Sequence, residues 1–266
     1  MAIKLFVTDL DGTLLPAGQT VSTKNIEAVQ KMVDAGITVT IATGRMYRGA
    51  VKVAEALGVN VPIITYNGAL IKSVDGKIWH SEFLPKEIIV DVVNFFEERG
   101  WYLQSYGNDI LCLPVRDKYA EFYENSQGIA GEVVGWNGLR ERTENVCKLL
   151  SITDGLEETE HRVVETKKYF GDKVTVVKSN ANFAEIVCPG VSKAAAIKIL
   201  AKKLGVDKSE IAAIGDSNND LEMLKSAGMS IAMGNAIEQV KKVCDFTTGI
   251  CEDDGFADAV YKFILK

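Results

Sequence analysis

Apolar positions change period along the chain, and the changes mark the elements. Residues 3–8 form a continuous β-branched and aromatic run, as expected of a strand buried on both faces. From Ser22 the period becomes helical. Ile26, Val29 and Val33 recur at i, i+3 and i+7, with Ser22 as the cap and Gly36 as the stop. A second buried run spans 37–42, a second helix 48–57 closed by Gly58, and a third strand 62–66. Strand, helix, strand, helix, strand with short joints predicts parallel strands joined by right-handed crossovers. The rhythm returns in the last third. Ser192 caps a helix with Ile197, Leu200 and Leu204 on one face and Gly205 after it. Strand 211–214, helix 218–225, strand 229–233, helix 236–242, a short strand near Phe246 and a helix from Phe256 follow.

The middle reads differently. Residues 70–83 resemble a hairpin turning at Asp75-Gly76. Beyond it the order is mixed: helix 86–99, strands near Tyr102 and Ile110, helix 117–125, strand 148–152, helix 156–169, and strands 174–178 and 184–187. The prediction is an α/β protein. Its Rossmann-like parallel-sheet core is built from residues 1–82 and 188–266, and an α+β domain is inserted at 83–187.

Four polar clusters fall directly after apolar strands or at helix starts of that core, where open parallel sheets bind ligands. Asp9-Leu10-Asp11-Gly12-Thr13 puts two carboxylates at i and i+2 in one loop, although Asp and Gly also simply make turns. Thr43-Gly44-Arg45 offers a hydroxyl and a glycine N–H beside a helix start, suited to a phosphate oxygen and equally compatible with a plain connection. Lys193 stands in the first turn of its helix, where a cation opposes the dipole unless it neutralises something anionic. Gly215-Asp216-Ser217-Asn218-Asn219-Asp220 supplies two more carboxylates and two amides, of which helix capping explains one. The clusters converge only if read together. Carboxylates with open coordination positions suit Mg²⁺, which binds through few carboxylates plus a substrate phosphate.

The ordered set DLDGT, TGR, GVSK and GDSNND resembles the haloacid dehalogenase superfamily of phosphatases. The large insertion between TGR and GVSK makes the chain similar to Cof-type hydrolases with a C2B cap, so the inserted domain is expected to be a cap domain. The resemblance implies a Mg²⁺-dependent phosphatase of small phosphorylated metabolites, sugar phosphates first. On it Asp9 is the nucleophile that forms an aspartyl-phosphate, and Asp11 is the general acid and then base. Main-chain Leu10, Thr43, Gly44, Lys193 and Asn219 hold the phosphate. Asp9, Asp216 and the Asp11 carbonyl bind Mg²⁺, with Asp220 as a supporting carboxylate. Arg45 and Asn67, at the ends of core strands, are candidates to face the substrate. Tyr102, Tyr106 and Trp136 suit either a pocket lining or a core, while His80 and His161 are expected to be structural or solvated. A phosphomutase would use the same Asp9 chemistry. A signalling receiver domain also pairs acids with Thr and Lys, but it lacks the insertion and the second acidic turn. A catalytically dead binding module would be expected to lack a motif residue.

Composition narrows the alternatives. The chain has 266 residues, 47% hydrophobic and 25% charged, ordinary values for a globular protein. Its net charge of −6 argues against nucleic acid as a partner. The charge is uneven: the two core segments balance at 18 basic and 18 acidic residues, and 83–187 carries 12 basic against 18 acidic. The longest uncharged stretch, 56–71, is 16 residues and contains Asn60, Pro62, Asn67 and Gly68, short of the roughly 20 needed to span a membrane. Asp9 and Asp11 interrupt the apolar start, so no signal peptide is expected and the cytoplasm is the expected location. Five cysteines without a C-x-x-C pair and only two histidines leave neither a disulfide framework nor a three-His zinc site. The expected assembly is a monomer or weak homodimer.

Overall fold

The computed structural model describes residues 2–265 except 17, 19, 59 and 60; Asn60 of the long uncharged stretch therefore lies outside the described residues. The chain divides into two compact units. One holds the chain up to His80 together with everything from Ser192 onward, and the other is Ser81–Val191.

The first unit opens with β1 (Leu5–Thr8), α1 (Thr23–Asp34), β2 (Thr38–Ile41), α2 (Tyr47–Ala56) and β3 (Ile63–Thr65), then β4 (Leu70–Lys72) and β5 (Ile78–Ser81), whose last residue begins the second unit. Ser22 caps α1 by accepting from Asn25 N, as the sequence predicts. The buried stripe of α1 is Asn25, Ala28, Val29 and Met32, whereas Val33, predicted on the apolar face, is exposed. Asn25 is tolerated inside because its Oδ1 accepts from Ala257 N at 3.1 Å. The predicted 70–83 hairpin forms, with Ser73 N donating to Lys77 O across its turn.

The second unit contains α3 (Lys86–Glu98), β6 (Gln104–Gly107), β7 (Ile110–Leu113), α4 (Lys118–Gln127), β8 (Glu132–Val133), α5 (Gly135–Glu141), β9 (Val146–Ile152), α6 (Leu156–Phe170), β10 (Thr175–Asn180) and β11 (Phe183–Val187). Its sheet runs β10-β11-β9-β6-β7-β8, antiparallel in its pairings except for the parallel pair β7–β8. Tyr102 and Tyr106 are core residues here, packed against Tyr119 and Tyr123 of α4, and not exposed lining. His161 packs edge-on to Trp101, and Trp136 is half-buried on α5. Lys148 and Glu185 form a buried ion pair at 2.8 Å beside Tyr106.

The chain returns to the first unit with α7 (Lys193–Leu204), β12 (Ile211–Gly215), α8 (Leu221–Ser226), β13 (Met229–Ala232), α9 (Glu238–Val243), β14 (Phe246–Thr247) and α10 (Gly255–Ala259). The predicted helix 218–225 divides into a 3-10 turn over Asn218–Asp220 and α8, because the acidic turn is occupied with internal bonds. The main sheet has order β14-β13-β12-β1-β2, and every pairing is parallel. An isolated parallel bridge, Ala42 to Ile64, joins β2 to β3. Thr8 lies in register with Ile41 on one side and Ile214 on the other. The loops after β1, β2 and β12 therefore leave the same end of the sheet, at the same level. Among the described residues no helix is long and apolar enough to cross a membrane.

Candidate active site

Strand register and one buried lysine assemble the site. Asp9 follows β1 directly and is buried, with its N–H donating to Ile214 O at 3.1 Å. Lys193, the first residue of α7, is 1% exposed. Its Nζ lies 2.7 Å from Asp9 Oδ1 and 2.6 Å from Asp220 Oδ1. The cation at a helix start thus has the anionic partners that its position calls for. Burial alone would lower its ammonium, but the carboxylates of Asp220 and Asp9 outweigh burial and hold it above its ordinary value.

The acidic turn is shaped from inside. Asp220 Oδ2 accepts from Asp216 N and Ser217 N, both at 3.0 Å, so the side chain four residues on closes the loop after β12. Asp216 projects back to the first loop, where Thr13 Oγ1 donates to its Oδ1 at 2.7 Å. Gly12 permits this approach. Its φ is +77°, and a Cβ there would stand 2.6 Å from Asp216 Oδ2. Carboxylate oxygens of Asp9, Asp216 and Asp220 lie within 4.8 Å of one another.

Three carboxylates around one lysine leave uncompensated negative charge. Burial pushes the Asp216 carboxyl up to about 7, and the nearby Asp220 adds to it, against the opposing bond from Thr13. Asp9 is raised well above the usual carboxylate range by burial, then by Asp220, with Lys193 pulling the other way. An all-oxygen donor set with surplus negative charge fits a hard divalent cation such as Mg²⁺.

The neutral groups frame the same space. Thr43 sits just beyond β2, and its N–H donates to Ile64 O at 2.9 Å. Thr43 Oγ1 accepts from Arg45 N at 3.1 Å. Asn67, at φ +56° after β3, donates its N–H to Thr43 O at 2.9 Å and accepts from Asn219 Nδ2 at 3.2 Å. Ser217 Oγ donates to Asn219 Oδ1 at 2.5 Å. Asp11 is exposed and bonds instead to Arg45. Arg45 grips it in a fork, Nε to Oδ2 at 2.8 Å and NH2 to Oδ1 at 2.5 Å. Leu10 is fully buried, and its carbonyl accepts from the amides of Thr13, Leu14 and Leu15.

The catalytic, phosphate-binding and metal-binding candidates singled out from the sequence therefore lie in the first unit, most of them at the strand ends, whereas Tyr102, Tyr106, Trp136 and His161 belong to the second. The cluster joins buried Asp9, Lys193 and Asp220 with half-buried Asp216, while Asp11 is bonded to Arg45. The sequence reading treated Thr13 as part of a turn and missed its bond to Asp216. Its place directly after Gly12 in an acidic loop was the available signal.

The cluster lies beyond the carboxyl ends of a parallel α/β sheet, where enzymes of this architecture bind their ligands, and the comparisons give the class of protein. Residues 6–260 match the haloacid dehalogenase-like hydrolases, and the chain belongs to that family. The phosphatase YwpJ of Bacillus subtilis (strain 168) is 29% identical over 282 residues, covering 96% of this chain and 98% of its own. From the same organism, the 5-amino-6-(5-phospho-D-ribitylamino)uracil phosphatase YitU is 30% identical over 269 residues, 95% of this chain and 94% of its own. A crystal structure of a haloacid dehalogenase-like hydrolase from Bacteroides thetaiotaomicron is similar with a TM-score of 0.89 at 30% identity, over 98% of this chain and 99% of that one.

Proposed function

We propose that the protein is a Mg²⁺-dependent phosphatase acting on small phosphorylated metabolites through an aspartyl-phosphate on Asp9. The observation that carries this reading is Lys193, buried between Asp9 and Asp220 at 2.7 and 2.6 Å. A carboxylate attacks a phosphate dianion only when the repulsion between them is cancelled, and a buried ammonium beside Asp9 supplies part of that cancellation. Mg²⁺ held by Asp9, Asp216 and the Asp11 carbonyl would supply the rest as a Lewis acid on the phosphoryl oxygens.

In the first half-reaction an Asp9 oxygen bonds to phosphorus, the P–O bond to the leaving alcohol breaks, and Asp11 gives that alcohol a proton. In the second, Asp11 takes a proton from water as the water oxygen attacks phosphorus. Inorganic phosphate leaves and the Asp9 carboxylate is restored. Asp11 is available for this only when Arg45 lets go of it, since the guanidinium engages both carboxylate oxygens. Thr43 accepts from Arg45 N and so keeps its own hydroxyl proton for a phosphate oxygen. Asn219, fixed by Ser217 and Asn67, has a second amide proton for the same use. Gly44 and Leu10 would contribute main-chain N–H groups.

Asp220 supports the site without being a reacting group. Its Oδ1 is held by Lys193 and its Oδ2 by two backbone amides, so both oxygens are committed to keeping the turn and the lysine in place. For the substrate, the named activity of the relative YitU is on a phosphorylated ribityl chain. That supports a primary phosphate on a sugar or polyol. The test is phosphate release from a panel of phosphorylated metabolites in Mg²⁺ and in EDTA. We expect turnover of sugar and polyol phosphates in Mg²⁺ only; equal rates in both conditions would refute the metal-dependent mechanism.

A further inference from the structure

The segment after β13 is bonded to both acidic loops. Met233 N donates to Gly215 O at 3.1 Å and Ile237 N to Asp216 O at 3.0 Å, which ties the segment to the Asp216 turn. Between these two, Asn235 reaches the other loop, its Nδ2 donating to Gly12 O at 2.8 Å. At its opposite end Oδ1 accepts from Cys251 N at 2.9 Å. Cys251 also touches the first loop directly, with Sγ 3.2 Å from Thr13 O. Burial pushes that thiol up to about 12, so it keeps its proton and donates.

The backbone behind Cys251 is closely packed. Gly234 N donates to Gly249 O at 2.8 Å. Backbone lies directly on backbone there: a Cβ on Gly255 would fall 2.2 Å from Gly249 O, and one on Gly234 would fall 2.9 Å from Gly249 C. In the first acidic loop Gly12 O takes the bond from Asn235, and the next residue, Thr13, fixes Asp216 through its hydroxyl.

We infer that Asn235 is a positioning residue: its carboxamide couples the 9–13 loop to the 249–255 segment, the backbone on either side of it is bonded to the Asp216 turn, and together they set the spacing between the two acidic loops. Asn235 is exposed and bonds to none of the carboxylates, so its influence on chemistry runs through that spacing alone. Its role in turnover rests on the phosphatase reading; its role in loop order does not.

Two variants separate the two ends of the bridge. Asn235→Ala removes both bonds. Asn235→Asp keeps the acceptor for Cys251 N but turns an oxygen toward Gly12 O. In both, amide hydrogen exchange across residues 9–16 should quicken by about tenfold or more. Turnover of p-nitrophenyl phosphate should fall by about 10- to 100-fold in kcat, as misplacements near 1 Å do. KM should stay within about threefold, and the thermal midpoint within a few degrees, because one or two hydrogen bonds of about 1 kcal/mol each move the midpoint of a chain this size only that far. Unchanged exchange across 9–16, full kcat in Asn235→Asp, or a loss of kcat that merely follows a collapse in thermal midpoint would overturn the inference. Faster exchange in the variants alongside an inactive wild-type protein would support the coupling and refute the phosphatase reading instead.

Discussion

Lys193→Met gives the sharpest test of the electrostatics. The substitution keeps most of the volume and removes the cation that faces Asp9 at 2.7 Å and Asp220 at 2.6 Å in a site 1% exposed. At an effective dielectric of about 20, each such contact is worth roughly 6 kcal/mol before desolvation is charged against it. Removing the lysine also recovers its own desolvation cost, several kcal/mol, so the gross figure does not carry through. The net expectation is the cost of breaking a buried pair by taking one partner, about 3–5 kcal/mol of unfolding free energy at pH 8. That cost must shrink in acid. Asp9 is already raised well above its ordinary value by burial and by Asp220. Without Lys193 the cluster takes up a proton that the unfolded chain, ionised above about pH 4, does not hold. Stability of the variant then falls as pH rises, by about 1.4 kcal/mol per pH unit for one such proton. Urea unfolding in EDTA at pH 5, 6, 7 and 8 should therefore show a large deficit at pH 8 and a small one at pH 5. Asp220→Asn in the same background should recover much of the loss at pH 8, since it removes the second uncompensated charge. A deficit below about 1 kcal/mol at pH 8, or one equal at pH 5 and pH 8, would refute this account of the cluster.

Other expectations follow from the same cluster. Asp9→Asn should abolish turnover while keeping the fold, with an unfolding midpoint at pH 8 equal to or above wild type, because a buried carboxylate is removed; full activity would end the nucleophile assignment. In EDTA the wild-type protein should lose stability from about pH 4 to about pH 7. Asp216 stays protonated in the fold up to about 7 against an ordinary 3.8, so the folded state holds the extra proton across that window; the ceiling is about 4 kcal/mol. Saturating Mg²⁺ should flatten the curve, and a pH-independent unfolding free energy in EDTA would contradict it. Gly12→Ala should cost about 1–3 kcal/mol and lower kcat at least tenfold, because the new Cβ meets Asp216 Oδ2 at 2.6 Å on a backbone at φ +77°; calorimetry and steady-state assays on the same preparation check both.

The parallel sheet and its helices were legible because strand burial and helix period are local signals. Ser22, Gly36, Ser192 and Gly205 fall at the helix ends where their chemistry puts them. The inward turn of Asn25 was not legible, since its partner is Ala257 N, 232 residues away. β8 and α5 were missed for a different reason. Glu132 and Val133 are both exposed, and α5 buries only Leu139, so no apolar period exists to be read. The site was legible as a set of residue types at strand ends. Its internal bonding was not, because Thr13 to Asp216, Asn219 to Asn67 and Asn235 to Gly12 all join loops distant in sequence.

That bonding also sorts four carboxylates that the sequence presents as near equivalents. Asp220 has Lys193 on one oxygen and two backbone amides on the other, all fixed by the fold. Asp9 is held through Oδ1 by Lys193, and Asp216 through Oδ1 by Thr13. Each of those two is oriented by a single protein donor and keeps its other oxygen for coordination or attack. Asp11 is exposed, and its two oxygens are gripped by the Arg45 guanidinium. The order from most to least committed, Asp220, then Asp9 and Asp216, then Asp11, matches the proposed roles: a fixed support, a nucleophile with its metal partner, and a proton carrier that must change partners twice per turnover. A carboxylate with both oxygens saturated makes a poor nucleophile, and one gripped only at the surface makes a poor anchor. Exchanging Asp9 and Asp220 in the assignment would fail on these bonds alone, before any kinetic argument.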